Sequence, residues 1–154
     1  MRIGEVTPQL FLGPAPVDAD DFQRLKKLNV TAIFSVEKAD EGWGHEIEDE
    51  RGAAILAGIK FTNLEVADFD RAELALKLPA CVDTLNALLT AGDTVYLHCK
   101  AGVNRSPTVA VAYLHWCLGR PLDEALEHVR ACRDCVPDGE AVGLANRRRD
   151  RTVS

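Results

Sequence analysis

One stretch restricts the possible folds more than any other: Val95-Tyr96-Leu97-His98-Cys99-Lys100-Ala101-Gly102-Val103-Asn104-Arg105-Ser106-Pro107. Val95, Tyr96 and Leu97 form a short apolar run of β-formers after a Gly92-Asp93 turn signal, so they read as a strand. From Ser106 to Leu118 the chain is almost wholly apolar, which suits a helix with Pro107 tolerated in its first turn. The tight loop between them holds Gly102 and points its backbone N–H groups as a helix N-terminus does. Such an arrangement is an anion site, strongest for phosphate. Its expected phosphate-binding residues are Lys100, Ala101, Gly102, Val103, Asn104 and Arg105. Cys99 stands at the rim, and a thiol beside a helix N-terminus and a guanidinium favours its thiolate form. A thiolate touching a bound phosphate is a nucleophile for phosphoryl transfer.

His98-Cys99-x-x-Gly102-x-x-Arg105-Ser106 resembles the signature loop of the cysteine-dependent protein phosphatases, His-Cys-x-x-Gly-x-x-Arg-Ser/Thr, and is most similar to the dual-specificity branch. Thr7-Pro8-Gln9-Leu10-Phe11-Leu12-Gly13 resembles the Pro-x-Leu-Tyr-Leu-Gly opening of the same enzymes. The resemblance covers nearly the whole chain. It implies a compact α/β fold with a central, mostly parallel sheet and helices on both faces. It also implies a general acid, an Asp on a loop well upstream of the cysteine: Asp68 is preferred and Asp70 is the alternative. A phosphate ester leaves badly as an alkoxide, so the reaction needs that proton.

The remaining site residues carry their own chemistry. Arg105 should grip two phosphoryl oxygens with its planar fork and stabilise charge in the transition state. Ser106 should donate its hydroxyl to the sulfur and help it leave. His98 orients the loop rather than shuttling protons. Lys100 is ambiguous, because His-Cys-Lys-Ala-Gly also occurs in relatives that dephosphorylate inositol lipids and other non-protein phosphates. No cofactor and no metal are expected. Cys132-x-x-Cys135 has no second pair to complete a zinc site and reads as structural, while Cys81 and Cys117 read as core thiols.

A chain of 154 residues is one domain by length. We expect a catalytic unit over residues 1–146 and a basic tail over 147–154, solvated and frayed. Five cysteines without scaffold spacing read as reduced thiols in the cytoplasm. A net charge of −6 argues against nucleic acid as a partner. No apolar run reaches transmembrane length and the N-terminus is no signal peptide, so no membrane insertion is expected. The expected partner is a phosphorylated protein or a small phosphate monoester, bound by a monomer.

In chain order, short strands are expected at 3–6 and 10–12, a helix at 18–28, a buried strand at 30–36 and a polar loop at 37–43. A helix at 46–57 and a strand at 60–66 follow. The next helix is expected to begin at Pro79. After the strand at 94–97 come helices at 108–118 and 121–133 and a short last helix at 140–146. The absence of a second, Gln-rich loop implies a shallow pocket open to phosphoserine and phosphothreonine as well as phosphotyrosine. The rival readings are a lipid or small-molecule phosphatase, a rhodanese-like sulfur transferase and a catalytically silent phospho-binding module.

Overall fold

The structure, a computed structural model, describes residues 1–39 and 46–152, with side chains as far as Arg147. The elements are β1 (Gly4–Thr7), β2 (Leu10–Gly13), α1 (Ala19–Lys27), β3 (Ala32–Ser35), α2 (Ile47–Leu56) and β4 (Lys60–Asn63). They continue with α3 (Arg71–Thr90), β5 (Val95–His98), α4 (Arg105–Trp116), α5 (Leu122–Cys132) and α6 (Gly139–Thr152). The strands form one sheet in the order β1-β2-β5-β3-β4. Only the β1–β2 pair is antiparallel; β5 runs parallel to both β2 and β3. The expected mostly parallel sheet is therefore present.

Two apolar clusters show that helices cover both faces. Phe22 and Leu25 of α1 and Ala54 of α2 pack with Phe11, Ile33 and Tyr96 on one side. On the other, α3, α4, α5 and α6 bring residues such as Leu78, Val109, Val129 and Val142 against Leu12, Phe34 and Leu97. β5 is central and buried throughout. Its end lies where the chain reverses its progress across the sheet, the place where open α/β sheets bind ligands.

Strand alternation then decides what each end residue faces. Val95, Leu97 and Cys99 belong to the larger cluster, with α4. Tyr96 belongs to the smaller one, and His98 follows it, with ring centroids 5.7 Å apart. The nucleophile candidate and its preceding histidine thus look to opposite faces of the sheet.

Several boundaries differ from expectation. α3 begins at Arg71, with Pro79 inside it. The start is set by Asp70, whose carboxylate accepts from the Glu73 N–H at 3.0 Å, and by Leu74, Ala75 and Leu78, which are buried. β4 ends at Asn63 because Leu64 N–H bonds to the Ser35 carbonyl and Val66 N–H to that of Val36. Two residues advance there against one on β3, which breaks the ladder. α4 starts at Arg105 rather than at Thr108 and ends at Trp116. α6 continues through the basic run to Thr152, so the tail is helical in its backbone over its described residues rather than frayed. The polar loop expected at 37–43 lies partly outside the described residues.

Candidate active site

The loop after β5 is shaped by turning its carbonyls outward. The Cys99 carbonyl accepts from His98 Nδ1 at 2.9 Å and that of Lys100 from the Ala15 N–H at 3.0 Å. The Ala101 carbonyl accepts from Arg133 Nη2 at 3.3 Å, and that of Val103 from the Val136 N–H at 2.7 Å. No described peptide bond is cis. In a planar trans peptide the N–H points away from its carbonyl. The N–H groups of Lys100, Ala101, Gly102 and Asn104 therefore face the inside of the loop. Gly102 makes the turn at φ 70, and a Cβ there would meet the Gly13 backbone at 2.6 Å, so only glycine fits.

Cys99 is buried at the base of this loop, and its sulfur accepts from Ser106 Oγ at 3.2 Å. Ser106 is placed for this by the first turn of α4, on the face of the sheet that Cys99 shares. Arg105, the first residue of α4, is only 2% exposed. Its Nη1 donates to the Val66 carbonyl at 2.9 Å and its Nε lies 3.5 Å from Asp68 Oδ1. Asp68, Phe69, Cys99, Lys100, Val103 and Arg105 share the wall of one cavity of about 290 Å³, together with Ala101 and Asn104. The structure thus brings Asp68 to the loop. Asp70 is absent from that wall, and its carboxylate is engaged in capping α3.

Beneath the loop is a group that sequence reasoning missed. His98 Nε2 meets Glu50 Oε2 of α2 at 2.6 Å, and its Nδ1 lies 3.4 Å from Glu37 Oε1. All three residues are buried. Burial alone would lower the His98 pKa, but the Glu50 charge and the hydrogen bonds to Glu37, Glu50 and the Cys99 carbonyl outweigh it and push it up to about 10. The donor atoms lie within 4.8 Å of one another. Both imidazole nitrogens are already hydrogen-bonded, so the group reads as an ion cluster rather than a metal centre. Asn63 Nδ2, donating to the carbonyls of Ser35 and Glu37, steadies the segment that carries Glu37. The available signal was strand period: Ser35 and Glu37 alternate with Phe34 and Val36 and so share the His98 side.

The other cysteines have structural surroundings, with one exception. Burial pushes the Cys81 thiol up to about 12 and also raises Cys132 and Cys135. Cys132 and Cys135 donate to the His128 and Val129 carbonyls. Cys117 is exposed, because α4 ends just before it, and is not the core thiol expected.

Comparison with known proteins gives the family and the fold. A family model described as dual specificity phosphatase, catalytic domain, matches residues 10–141. The chain is 30% identical over 147 residues to phosphoglucan phosphatase LSF1 of Arabidopsis thaliana, covering 94% of this chain and 25% of that protein. It is 32% identical over 144 residues to phosphoglucan phosphatase DSP4 of Castanea sativa, covering 91% and 38%. With human dual specificity protein phosphatase 22 the identity is 28% over 134 residues, covering 87% and 66%. The chain thus spans well under half the length of the first two relatives. Among solved structures, PTPMT1 in complex with PI(5)P has a TM-score of 0.77 at 19% identity, covering 99% and 97% of the two chains. That likeness is one of fold. No described helix is long and apolar enough to cross a membrane.

Proposed function

The chain belongs to the dual specificity phosphatase family, and on that premise we propose that it hydrolyses phosphotyrosine and phosphoserine or phosphothreonine monoesters of proteins through a cysteinyl-phosphate. The observation that carries this reading is the cavity wall shared by Cys99, Arg105 and Asp68, with Ser106 Oγ 3.2 Å from the Cys99 sulfur. The phosphate sits on the inward N–H groups of the loop and on Arg105, which stabilise the charge of the transition state. The Cys99 thiolate attacks phosphorus as the ester P–O bond breaks, and Asp68, as the acid, protonates the leaving oxygen. Water then attacks the phosphocysteine while the Asp68 carboxylate takes its proton. The sulfur leaves as thiolate, stabilised by the Ser106 hydroxyl. Residues 1–146 constitute the catalytic unit in this reading. Five cysteines free of disulfides suit a reducing compartment, and we propose a cytoplasmic monomer.

A second reading is a phosphatase of non-protein phosphate. Its support is that relatives 30% and 32% identical bear the name phosphoglucan phosphatase, and that Lys100 lines the cavity. A panel of phosphopeptides, phosphorylated glucan and phosphoinositide vesicles separates the two. The first reading expects the highest kcat/KM on phosphopeptides; a clear preference for glucan or lipid transfers the conclusion to the second.

A further inference from the structure

Asp68 is the one candidate catalytic residue outside the run from Cys99 to Ser106, so its reach depends on what fastens its loop between β4 and α3. Upstream, the Leu64 and Val66 N–H groups bond to the Ser35 and Val36 carbonyls, and the Val66 carbonyl accepts from Arg105 Nη1 at 2.9 Å. Downstream, Asp70 caps α3, and the Ala67 N–H bonds to the carboxylate of Glu73 in its first turn. Asp68 therefore moves with the N-terminal end of α3.

That end is fastened by Arg71. As the first residue of α3, its cation faces the positive end of the helix dipole and does nothing for the helix itself. Its Nε instead donates to Asp138 Oδ2 at 2.7 Å and its Nη1 to Glu140 Oε2 at 2.8 Å, both at the start of α6. Glu140 is exposed, and ion pairs of that kind contribute little. Asp138 is different, with a side chain only 12% exposed. Its Oδ1 accepts from the Ala141 N–H at 3.1 Å, which caps α6, and its own N–H donates to Thr108 Oγ1 at 2.8 Å. Thr108 Oγ1 donates in turn to the Asn104 carbonyl at 2.7 Å. Asn104 Nδ2 donates to the Val136 carbonyl at 3.0 Å, and the Val136 N–H to the Val103 carbonyl at 2.7 Å. Val103 and Asn104 line the cavity that Asp68 borders. A continuous run of bonds thus leads from the Asp68 loop, through Arg71 and Asp138, to the far side of the Cys99 loop.

Arg105 is a second tie between these loops, through Asp68 Oδ1 at 3.5 Å and the Val66 carbonyl. It cannot serve alone. Arg105 also has to grip the phosphate, and Asp68 is an acid only when protonated, a form without the charge that attracts a guanidinium. The Arg71–Asp138 pair depends neither on the phosphate nor on the charge of Asp68. We propose that Arg71 and Asp138 are positioning residues, whose ion pair sets how closely Asp68 approaches the leaving oxygen. This rests on the phosphatase reading of the site.

The test is Arg71→Gln, which removes the cation and keeps the Asp70 cap and the bonds of Asp138 to Ala141 and Thr108. Turnover is compared on an alkyl phosphate and on an aryl phosphate with an acidic phenol, with and without Asp68→Asn. Since a misplacement of about 1 Å can cost about 10²-fold, Arg71→Gln should lower kcat on the alkyl ester by roughly 10–10²-fold and on the aryl ester far less. In the Asp68→Asn chain it should cost nothing further, because it acts only through Asp68. Asp138→Asn, which keeps an oxygen to cap α6, should show the same selective loss, and Arg71→Lys should restore part of the rate. An equal loss on both esters, a loss that adds in full to that of Asp68→Asn, or no loss would each overturn the assignment. Hydrogen exchange over residues 64–70 reads the fastening without turnover: it should quicken in Arg71→Gln while the body of α3 stays protected, and unchanged exchange there also overturns the assignment. Failure of the unaltered chain to hydrolyse any ester ends the phosphatase reading, whereas the fastening of the Asp68 loop is then decided by exchange alone.

Discussion

The two sides of the Cys99 loop are built in opposite ways. The upper side is local: Cys99, the inward N–H groups, Arg105 and Ser106 come from one run of consecutive residues. The underside is assembled from afar, with His98 on β5, Glu50 on α2 and Glu37 after β3, all buried and joined by short contacts. In the proposed reading the upper side meets the substrate, while on the underside His98 hydrogen-bonds the carbonyl of Cys99. Replacing residues on the upper side should therefore change the chemistry at nearly constant stability. Replacing them on the underside should change stability first and chemistry through it.

The largest effect is expected above the loop. Cys99→Ser should lower kcat by roughly 10⁴-fold or more, as removal of a nucleophile does, with phosphate or vanadate binding and the unfolding midpoint largely retained. Asp68→Asn comes next. It should cost about 10²–10⁴-fold on alkyl phosphates and much less on aryl phosphates with acidic phenols, since only a poor leaving group needs the proton. Asp70→Asn should show no such leaving-group dependence. Its effect should be a stability loss of at most about 1 kcal/mol, since Asn still caps α3 and only the negative charge at the helix N-terminus is lost. The reverse pattern would exchange the roles of these aspartates.

Below the loop, Glu50→Gln leaves a buried imidazole short of one charge. A loss of about 3–5 kcal/mol in denaturant unfolding is expected, because removing one partner strands the other. The same cluster also predicts a pH dependence. His98 stands at about 10 in the folded chain against ~6.5 when unfolded. A group raised by folding adds stability that is complete below ~6.5 and is lost as pH rises through about 10. Thermal midpoints should therefore fall between pH 7 and 10, and the slope should flatten in Glu50→Gln. Equal slopes in the two proteins would remove the cluster as its cause.

The same contrast explains what could be read from the residues alone. The strand, loop and helix around Cys99 were legible, and so was the Ser106 contact, because each depends on neighbours in sequence. The mostly parallel sheet and its two-sided cover were implied by the family resemblance that this loop carries. The start of α3 was missed because Pro79 resembles a first-turn proline; the better signal was Asp70-x-x-Glu73, a capping pattern. The His98 partners were not legible. Glu50 sits in a helix with a weak one-sided apolar pattern, and nothing local marks it as the acid that turns inward. Phe69 reads as an ordinary loop residue, since the sign of its φ comes from the bonds that fix both ends of its loop. Cys117 was misplaced by assuming that α4 ran past it.

The central claim is that phosphate passes through Cys99. It is tested most directly by rapid acid quench of the enzyme during turnover of a ³²P-labelled aryl phosphate, with mass-spectrometric assignment of the label. Ser106→Ala, which removes the donor to the sulfur, should slow breakdown of the intermediate and raise its level. Label on Cys99 at substoichiometric levels in the unaltered enzyme, and more in Ser106→Ala, is the predicted result. Turnover with no label on Cys99 in either protein would contradict it.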